Sequence, residues 1–215
     1  MGQHKAGRTG GSFYDGRPYS LLFDRLCRGL HERVAAWVDE GTACVDVCCG
    51  TGGLTFQLAA RCRRVVGIDY SPRQLARAEQ LRRGRGFHHV SFEVGDASVL
   101  DGIPDGAFDV ATVSMGLHEM DSRIRAGVLP TLLRVASRAV IVDFAVPMPR
   151  NLAGLRNRGF ELLAGPRHFL GFRDFTRRGG LRTMIEEAGA ELVRERRMDG
   201  GTLSLVEIRR AADAT

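Results

Sequence analysis

Acids and glycines recur where apolar runs end. Asp46 falls within "ACVDVCCGTGG", Asp69 closes "RRVVGID", Asp96 closes "HVSFEVGD", and His118 and Glu119 stand together in "MGLHEM" beyond a further apolar run. A glycine turn lets backbone approach a ligand that a Cβ would keep away. A carboxylate at the next strand end can accept from both hydroxyls of a ribose, and one a strand further can reach an adenine amino group. Histidine is the side chain most suited to take a proton near neutral pH. A Walker phosphate loop would need Gly-Lys-Ser/Thr, which this turn lacks. The dinucleotide pattern GxGxxG matches at Gly50 and Gly52 and fails at Thr55. Three acids at successive strand ends suit a ligand with an adenosine and a cation better than a pyrophosphate.

The elements that must position these residues follow from periodicity. Residues 19–38 place Leu22, Phe23, Leu26, Cys27, Leu30, Val34 and Val38 at helical spacing, which predicts a long amphipathic helix before the first strand. "ACVDV" then predicts a strand, "GTGGLTFQLAARC" a turn and helix, "RRVVGIDYS" a second strand, and "SPRQLARAEQLRR" a helix with Ser71 as N-cap and Pro72 at its first position. "HVSFEVGDA" and "PDGAFDVATVSMG" predict the third and fourth strands, and the helical "IRAGVLPTLLRVAS" leads into a fifth, "RAVIVDFAVP", stopped at Pro147. Apolar strands alternating with helices imply an α/β fold whose parallel sheet is covered on both faces. The ending differs, with a helix stopped by Gly189, a strand, a turn at Asp199-Gly200-Gly201 and a last strand. So short a turn requires an antiparallel hairpin.

Whole-chain composition narrows the function. At 215 residues, with 44% hydrophobic and 26% charged residues, the sequence suits one buried domain. No apolar run approaches the ~18 to 20 residues that span a bilayer. The polar N-terminal stretch "MGQHKAGRTGGS" reads as a flexible arm and not a signal peptide, so a cytoplasmic location is expected. The net charge is +6, yet lysine is nearly absent and the arginines are dispersed, which reads as a solvated surface and not a nucleic-acid face. Cys27, Cys44, Cys48, Cys49 and Cys62 are odd in number and sit in apolar segments. They form no disulfide framework and show no CxxC or paired-histidine spacing, so no metal is expected.

The motifs "VDVCCGTG", "VVGIDYSPRQLARA", "VSFEVGDA", "FDVATVSMGLHEM" and "AVIVDF" resemble those of the class I S-adenosylmethionine-dependent methyltransferases, and within them the ubiquinone/menaquinone C-methyltransferase-like group. The resemblance covers roughly residues 12–208. It implies a Rossmann-like seven-stranded, mostly parallel sheet with a C-terminal antiparallel hairpin, helices on both faces, an N-terminal helix and a small helical lid. The corresponding division is an arm over 1–12, an N-terminal helical cap over 13–40, a cofactor-binding core over 41–147, an acceptor lid over 148–180, and the last helix and hairpin over 181–215.

The same resemblance implies S-adenosyl-L-methionine as cofactor. Gly50 and Gly52, with Cys48 between the strand and the turn, would face its methionine part, and Asp46 would anchor the loop or the amino group. Asp69 would hold the ribose, with Tyr70 near the adenine and Ser71 beside it. Asp96 and Ala97 would read the adenine edge, and Ser114 and Gly116 would flank the sulfonium. Tyr14 and Tyr19 would close the carboxylate end. The connection before the fifth strand lacks the family's usual glycine turn and is expected to be tight.

An acceptor that must lose a proton needs a base, and His118, with Glu119 beside it, is the candidate. In the lid, Phe160, Leu163, His168, Phe169, Phe172 and Phe175 suit a flat or hydrophobic small molecule, and Arg167 and Arg173 suit an anionic group on it. Three other readings remain: a catalytically silent cofactor-binding sensor or scaffold, an NAD-dependent oxidoreductase, and a nucleic-acid methyltransferase, the last lacking an Asn-Pro-Pro-Tyr-like tetrapeptide after the fourth strand. The expected partner is a small-molecule methyl acceptor, without nucleic acid or a membrane span, in a monomer or homodimer.

Overall fold

The structure is a computed structural model and describes residues 27–211. β1 (Ala43–Val47) is buried at every position, β2 (Arg64–Asp69) at all but its first, and β5 (Ala136–Phe144) from Ala139 onward. Strands that are apolar on both faces need cover on both faces, and the connecting helices supply it. These are α1 (27–35), α2 (Gly53–Ala59), α3 (Pro72–Arg83), α4 (Ser122–Val135), α5 (Leu152–Leu163), α6 (Pro166–Arg177) and α7 (Gly180–Glu187). With β3 (Val90–Val94), β4 (Phe108–Ser114), β6 (Ala190–Met198) and β7 (Leu203–Arg210), the seven strands lie in the order β3-β2-β1-β4-β5-β7-β6.

The order reverses between β1 and β4. In open α/β sheets a crevice forms outside the carboxyl ends at such a switch point, because the two flanking connections leave in opposite directions. The predicted Rossmann-like sheet is therefore present, with a refinement at its end. β7 pairs antiparallel with both β5 and β6, so it is the one reversed strand, inserted between its neighbours. The tight connection predicted before the fifth strand is also present: α4 ends at Val135 and β5 begins at Ala136. The predicted N-terminal helix is described only from residue 27 and ends at 35, and Val38 is buried in the turn that follows.

Two devices place the helices that matter for the site. Ser71 caps α3 by accepting from the Gln74 N–H at 3.4 Å, with Pro72 at the first helical position. Arg125 of α4, only 4% exposed, donates to the Met120 carbonyl at 2.7 Å and to Asp174 of α6 at 3.1 Å, tying α6 to the loop after β4. Among the described residues, no helix is long and apolar enough to cross a membrane.

Candidate functional site

The glycine turn leaves β1 at Cys48 and enters α2 at Gly53. Cys48 itself has φ 61°, a left-handed conformation that costs a side-chain-bearing residue on the order of 1 kcal/mol or more. Gly52 has φ 87°, and a Cβ there would lie 2.9 Å from the Phe56 ring and 3.0 Å from that of Phe92. Glycine is thus required by both conformation and space. Asp46, 1% exposed, holds the turn from beneath: Oδ2 accepts from Thr55 of α2 at 2.6 Å and Oδ1 from Thr112 of β4 at 2.9 Å. Of the two roles expected of Asp46, the geometry supplies the anchoring one. Thr55, the residue that breaks the GxGxxG pattern, is the hydroxyl that Asp46 needs. Burial pushes the Asp46 carboxyl up to about 6, against the pull of the two threonine hydrogen bonds.

Asp69, at the end of β2, faces the other side of the turn. Oδ2 accepts from the Gly50 N–H and Oδ1 from the Ser71 N–H, both at 2.9 Å. A carboxylate offers about four acceptor sites, so with the Tyr70 backbone also donating to it Asp69 retains capacity for a further donor. Burial raises its pKa. Tyr70 is 60% exposed directly after it. At the end of β3, Asp96 Oδ1 takes the backbone and side chain of Ser98 at 2.8 and 2.6 Å, beside buried Ala97. Ser71, expected near the adenine, uses its hydroxyl as the α3 cap.

At the switch point the β4 end meets the β1 end. Met115 also takes a left-handed φ, 56°, and a Cβ on Gly116 would lie 3.0 Å from the Cys48 Cβ. Just before this bend, Ser114 Oγ is buried without a hydrogen-bond partner among the described residues. Beyond it, the 3-10 turn Leu117–Glu119 is pinned by Asp143 of β5, which is fully buried. Asp143 Oδ2 accepts from the Leu117 N–H at 2.9 Å, and Oδ1 lies 2.8 Å from Nδ1 of His118. With Nδ1 donating to Asp143, the Nε2 of His118 faces the opposite way, toward Glu119 Oε1 and Glu161 Oε1, each at 3.8 Å. Burial alone would lower the His118 pKa, but the Asp143 carboxylate, with Glu119 and Glu161, raises it to about 9.

The helices after β5 close over this imidazole. α5 is fixed by Asn157, whose amide donates to Thr202 at 2.9 Å and Asp199 at 3.2 Å on the β6–β7 turn, and Glu161 follows one helical turn later. α6 rests directly on the His118 turn: a Cβ on Gly171 would lie 2.8 Å from the His118 carbonyl oxygen. Three residues before Gly171, His168 lies with Nε2 3.5 Å from Glu119 Oε2 and Nδ1 3.6 Å from Glu161 Oε2.

The aromatic content of this region is distributed otherwise than the sequence suggested. Phe172 and Phe175 are core residues, Phe172 stacking edge-on against Phe144, which in turn meets the His118 ring with centroids 4.7 Å apart. Phe160 and Leu163 are exposed. His168 and Phe169 remain at intermediate depth, with the Arg173 guanidinium over the Phe169 ring at 5.7 Å. The reason is amphipathic phase: α6 turns its 172/175 stripe to the sheet, and the more distant positions face outward.

Sequence reading thus located the glycine turn, Asp69, Asp96, Ser114 and the His118-Glu119 pair, and the fold gathers them at adjoining strand ends. It missed the roles of Asp143 and Glu161. Asp143 carried a signal, being an acid at the end of an apolar strand like Asp69. Tyr14 and Tyr19 lie outside the described residues.

Residues 44–139 match the family described as a methyltransferase domain. A demethylmenaquinone methyltransferase from Anoxybacillus flavithermus is 37% identical over 102 residues, 46% of this chain and 42% of that protein. A 2-phytyl-1,4-naphtoquinone methyltransferase from Thermosynechococcus vestitus is 29% identical over 209 residues, 87% of this chain and 92% of that protein. Among solved structures, magnesium protoporphyrin IX methyltransferase from Synechocystis, with bound SAH, shares the fold with a TM-score of 0.61 at 19% identity, covering 86% of this chain and 83% of that one.

Proposed function

We propose that this chain, which belongs to the class I S-adenosylmethionine-dependent methyltransferases, methylates a small hydrophobic or aromatic molecule at the crevice between the ends of β1 and β4, beside the turn that carries His118. The observation that carries this reading is the His118–Asp143 pair, buried at 2.8 Å immediately beyond the crevice between β1 and β4. The cofactor fits the residues there. Asp69 keeps acceptor capacity for a ribose hydroxyl, exposed Tyr70 adjoins it, and Ser114 Oγ is a buried polar atom with no hydrogen-bond partner among the described residues. When bound, S-adenosylmethionine supplies an electrophilic methyl group on a sulfonium.

The chain's own tasks are alignment and proton removal. An in-line displacement requires the acceptor atom, the methyl group and the sulfur to be collinear, and holding both partners in one crevice supplies that alignment. Gly50 and Gly52 would hold the methionine part, Asp69 the ribose, and Asp96 and Ala97 the adenine. The working atom on the acceptor side is Nε2 of His118. Asp143 fixes the ring with Nδ1 protonated and stabilises the imidazolium that forms when Nε2 takes a proton from an acidic O–H or C–H. Asp143 also raises the imidazole pKa to about 9, so the neutral ring that can take a proton gains population toward alkaline pH, and turnover should rise with pH in that range. Glu119 is the adjoining group to which that proton can pass.

Quinols and naphthols are the acceptors to try first, since the two named relatives are quinone methyltransferases. The test is transfer of a labelled methyl group from S-adenosylmethionine to a panel of such molecules, run beside protein and RNA. Labelling confined to small hydrophobic acceptors supports the reading, and labelling of protein or RNA alone would defeat it.

A further inference from the structure

His118, Glu161 and His168 come from three separate elements, yet one ligating atom of each lies within 4.8 Å of the others. Nε2 of His118 is 3.8 Å from Glu161 Oε1, and Nδ1 of His168 is 3.6 Å from Glu161 Oε2. Those separations are too long for hydrogen bonds. They are close to the about 3.3 Å between ligands that tetrahedral bonds of about 2.0 to 2.1 Å impose. A second feature is the burial of the acid. Glu161 is 8% exposed, and its Oε2 is buried with no hydrogen-bond partner among the described residues. A carboxylate that has left water is costly unless positive charge accompanies it, and the two imidazoles supply that charge only while both are protonated, whereas a bound ion supplies it with the rings neutral.

We propose that Nε2 of His118, a ring nitrogen of His168 and the carboxylate of Glu161 bind one divalent first-row transition-metal ion of the zinc class. Two imidazoles and one carboxylate form a borderline donor set that suits such an ion better than magnesium or calcium, which prefer all-oxygen ligation. The outer shell is already built. Metal-ligating histidines commonly donate their other ring nitrogen to a carboxylate, which fixes the tautomer and aims the lone pair, and Asp143 does this for His118 at 2.8 Å. The close seat of Gly171 on the His118 carbonyl brings His168 to the site, and the hold of Asn157 on Asp199 and Thr202 brings Glu161. The cysteines that drew attention in the sequence take no part.

Three protein ligands leave one tetrahedral position open, and an open position is the mark of a working site. The role of that position rests on the methyl-transfer reading, whereas the site itself does not. An oxygen of the acceptor would fill it. An ion on Nε2 would take the lone pair assigned above to proton transfer, so in the metal-loaded protein the acceptor O–H would break with its oxygen held by the ion as an anion and its proton passed to Glu119 in place of His118.

The test uses the full chain, stripped with a chelator and titrated with zinc against a chromophoric competitor, then with cobalt to read the absorption of the bound ion. One equivalent is expected for the wild type. Glu161→Gln and His168→Gln should each lose stoichiometric binding, and Asp143→Asn should weaken it roughly 10- to 100-fold. His88→Gln, at an exposed histidine elsewhere, should change nothing. Calorimetry with S-adenosylmethionine on the same metal-free samples shows whether each variant is folded and tests the methyltransferase reading separately. The proposal is overturned if the wild type binds no zinc, if one equivalent persists in both Glu161→Gln and His168→Gln, or if binding is lost in His88→Gln. Loss of cofactor binding throughout, with zinc retained, would sink the methyltransferase reading and leave the metal site standing.

Discussion

Asp143 Oδ1 lies 2.8 Å from Nδ1 of His118, and the other oxygen of the same carboxylate takes the Leu117 N–H at 2.9 Å. One buried side chain therefore sets both the ring's tautomer and the path of the turn that carries it. Asp143→Asn keeps a carbonyl for Leu117 but removes the charge that stabilises an imidazolium. Turnover is expected to fall by on the order of 10²- to 10⁴-fold, with cofactor affinity changed less than about threefold. Steady-state kinetics and calorimetry on one preparation check both figures, and an unchanged kcat would remove His118 from proton transfer.

Gly171 tests the seating of α6. A Cβ at this position would stand 2.8 Å from the His118 carbonyl oxygen, and backbone on both sides limits relief. Gly171→Val should destabilise the fold by about 1 to 3 kcal/mol through overpacking and displace His168 from the site. The loss of kcat should exceed that of the folded fraction. Urea denaturation beside kinetics separates the two effects, and wild-type values for both would show that α6 does not press on this turn.

Asp46 predicts a pH dependence of stability. Its pKa is raised from 3.8 to about 6 in the folded protein, so between those values the folded state holds more proton than the unfolded one. Stability contributed at this position therefore falls as pH rises through that window, and the full cost is felt above about 6. The shift corresponds to about 3 kcal/mol as an upper bound. Asp46→Asn removes the titration, so the wild type should lose stability relative to the variant between pH 4 and 7. Denaturant midpoints at the two pH values measure this, and an equal difference at both would mean that Asp46 does not titrate in the fold.

Much of this was legible because strand ends announce themselves. Asp69 and Asp96 each follow an apolar run, and a parallel sheet brings such ends to one edge. Asp46 was legible as a position, with anchoring of the loop as one of its two expected roles, but its partners were not: Thr55 meets it once α2 folds back on the turn, and Thr112 only after β1 and β4 pair. Glu161 and His168 could not be paired with His118 from spacing. They depend on where α5 and α6 land, which is set by the Asn157 and Arg125 contacts and by the seat at Gly171. Phe172 and Phe175 of α6 pack into the core, the bland alternative for such a stripe, because helical periodicity gives a face without saying what it meets.

The most direct test of the account is calorimetric titration with S-adenosylmethionine of the wild type and of Asp69→Ala. Asp69 carries the ribose assignment and also holds Gly50 at 2.9 Å, so its removal takes away a ligand contact and loosens the turn together. One binding site is expected in the wild type, weakened roughly 10- to 100-fold or more in the variant, consistent with losing one or two hydrogen bonds to a charged group. Equal affinity in the two proteins, or NAD bound in preference to S-adenosylmethionine, would contradict it.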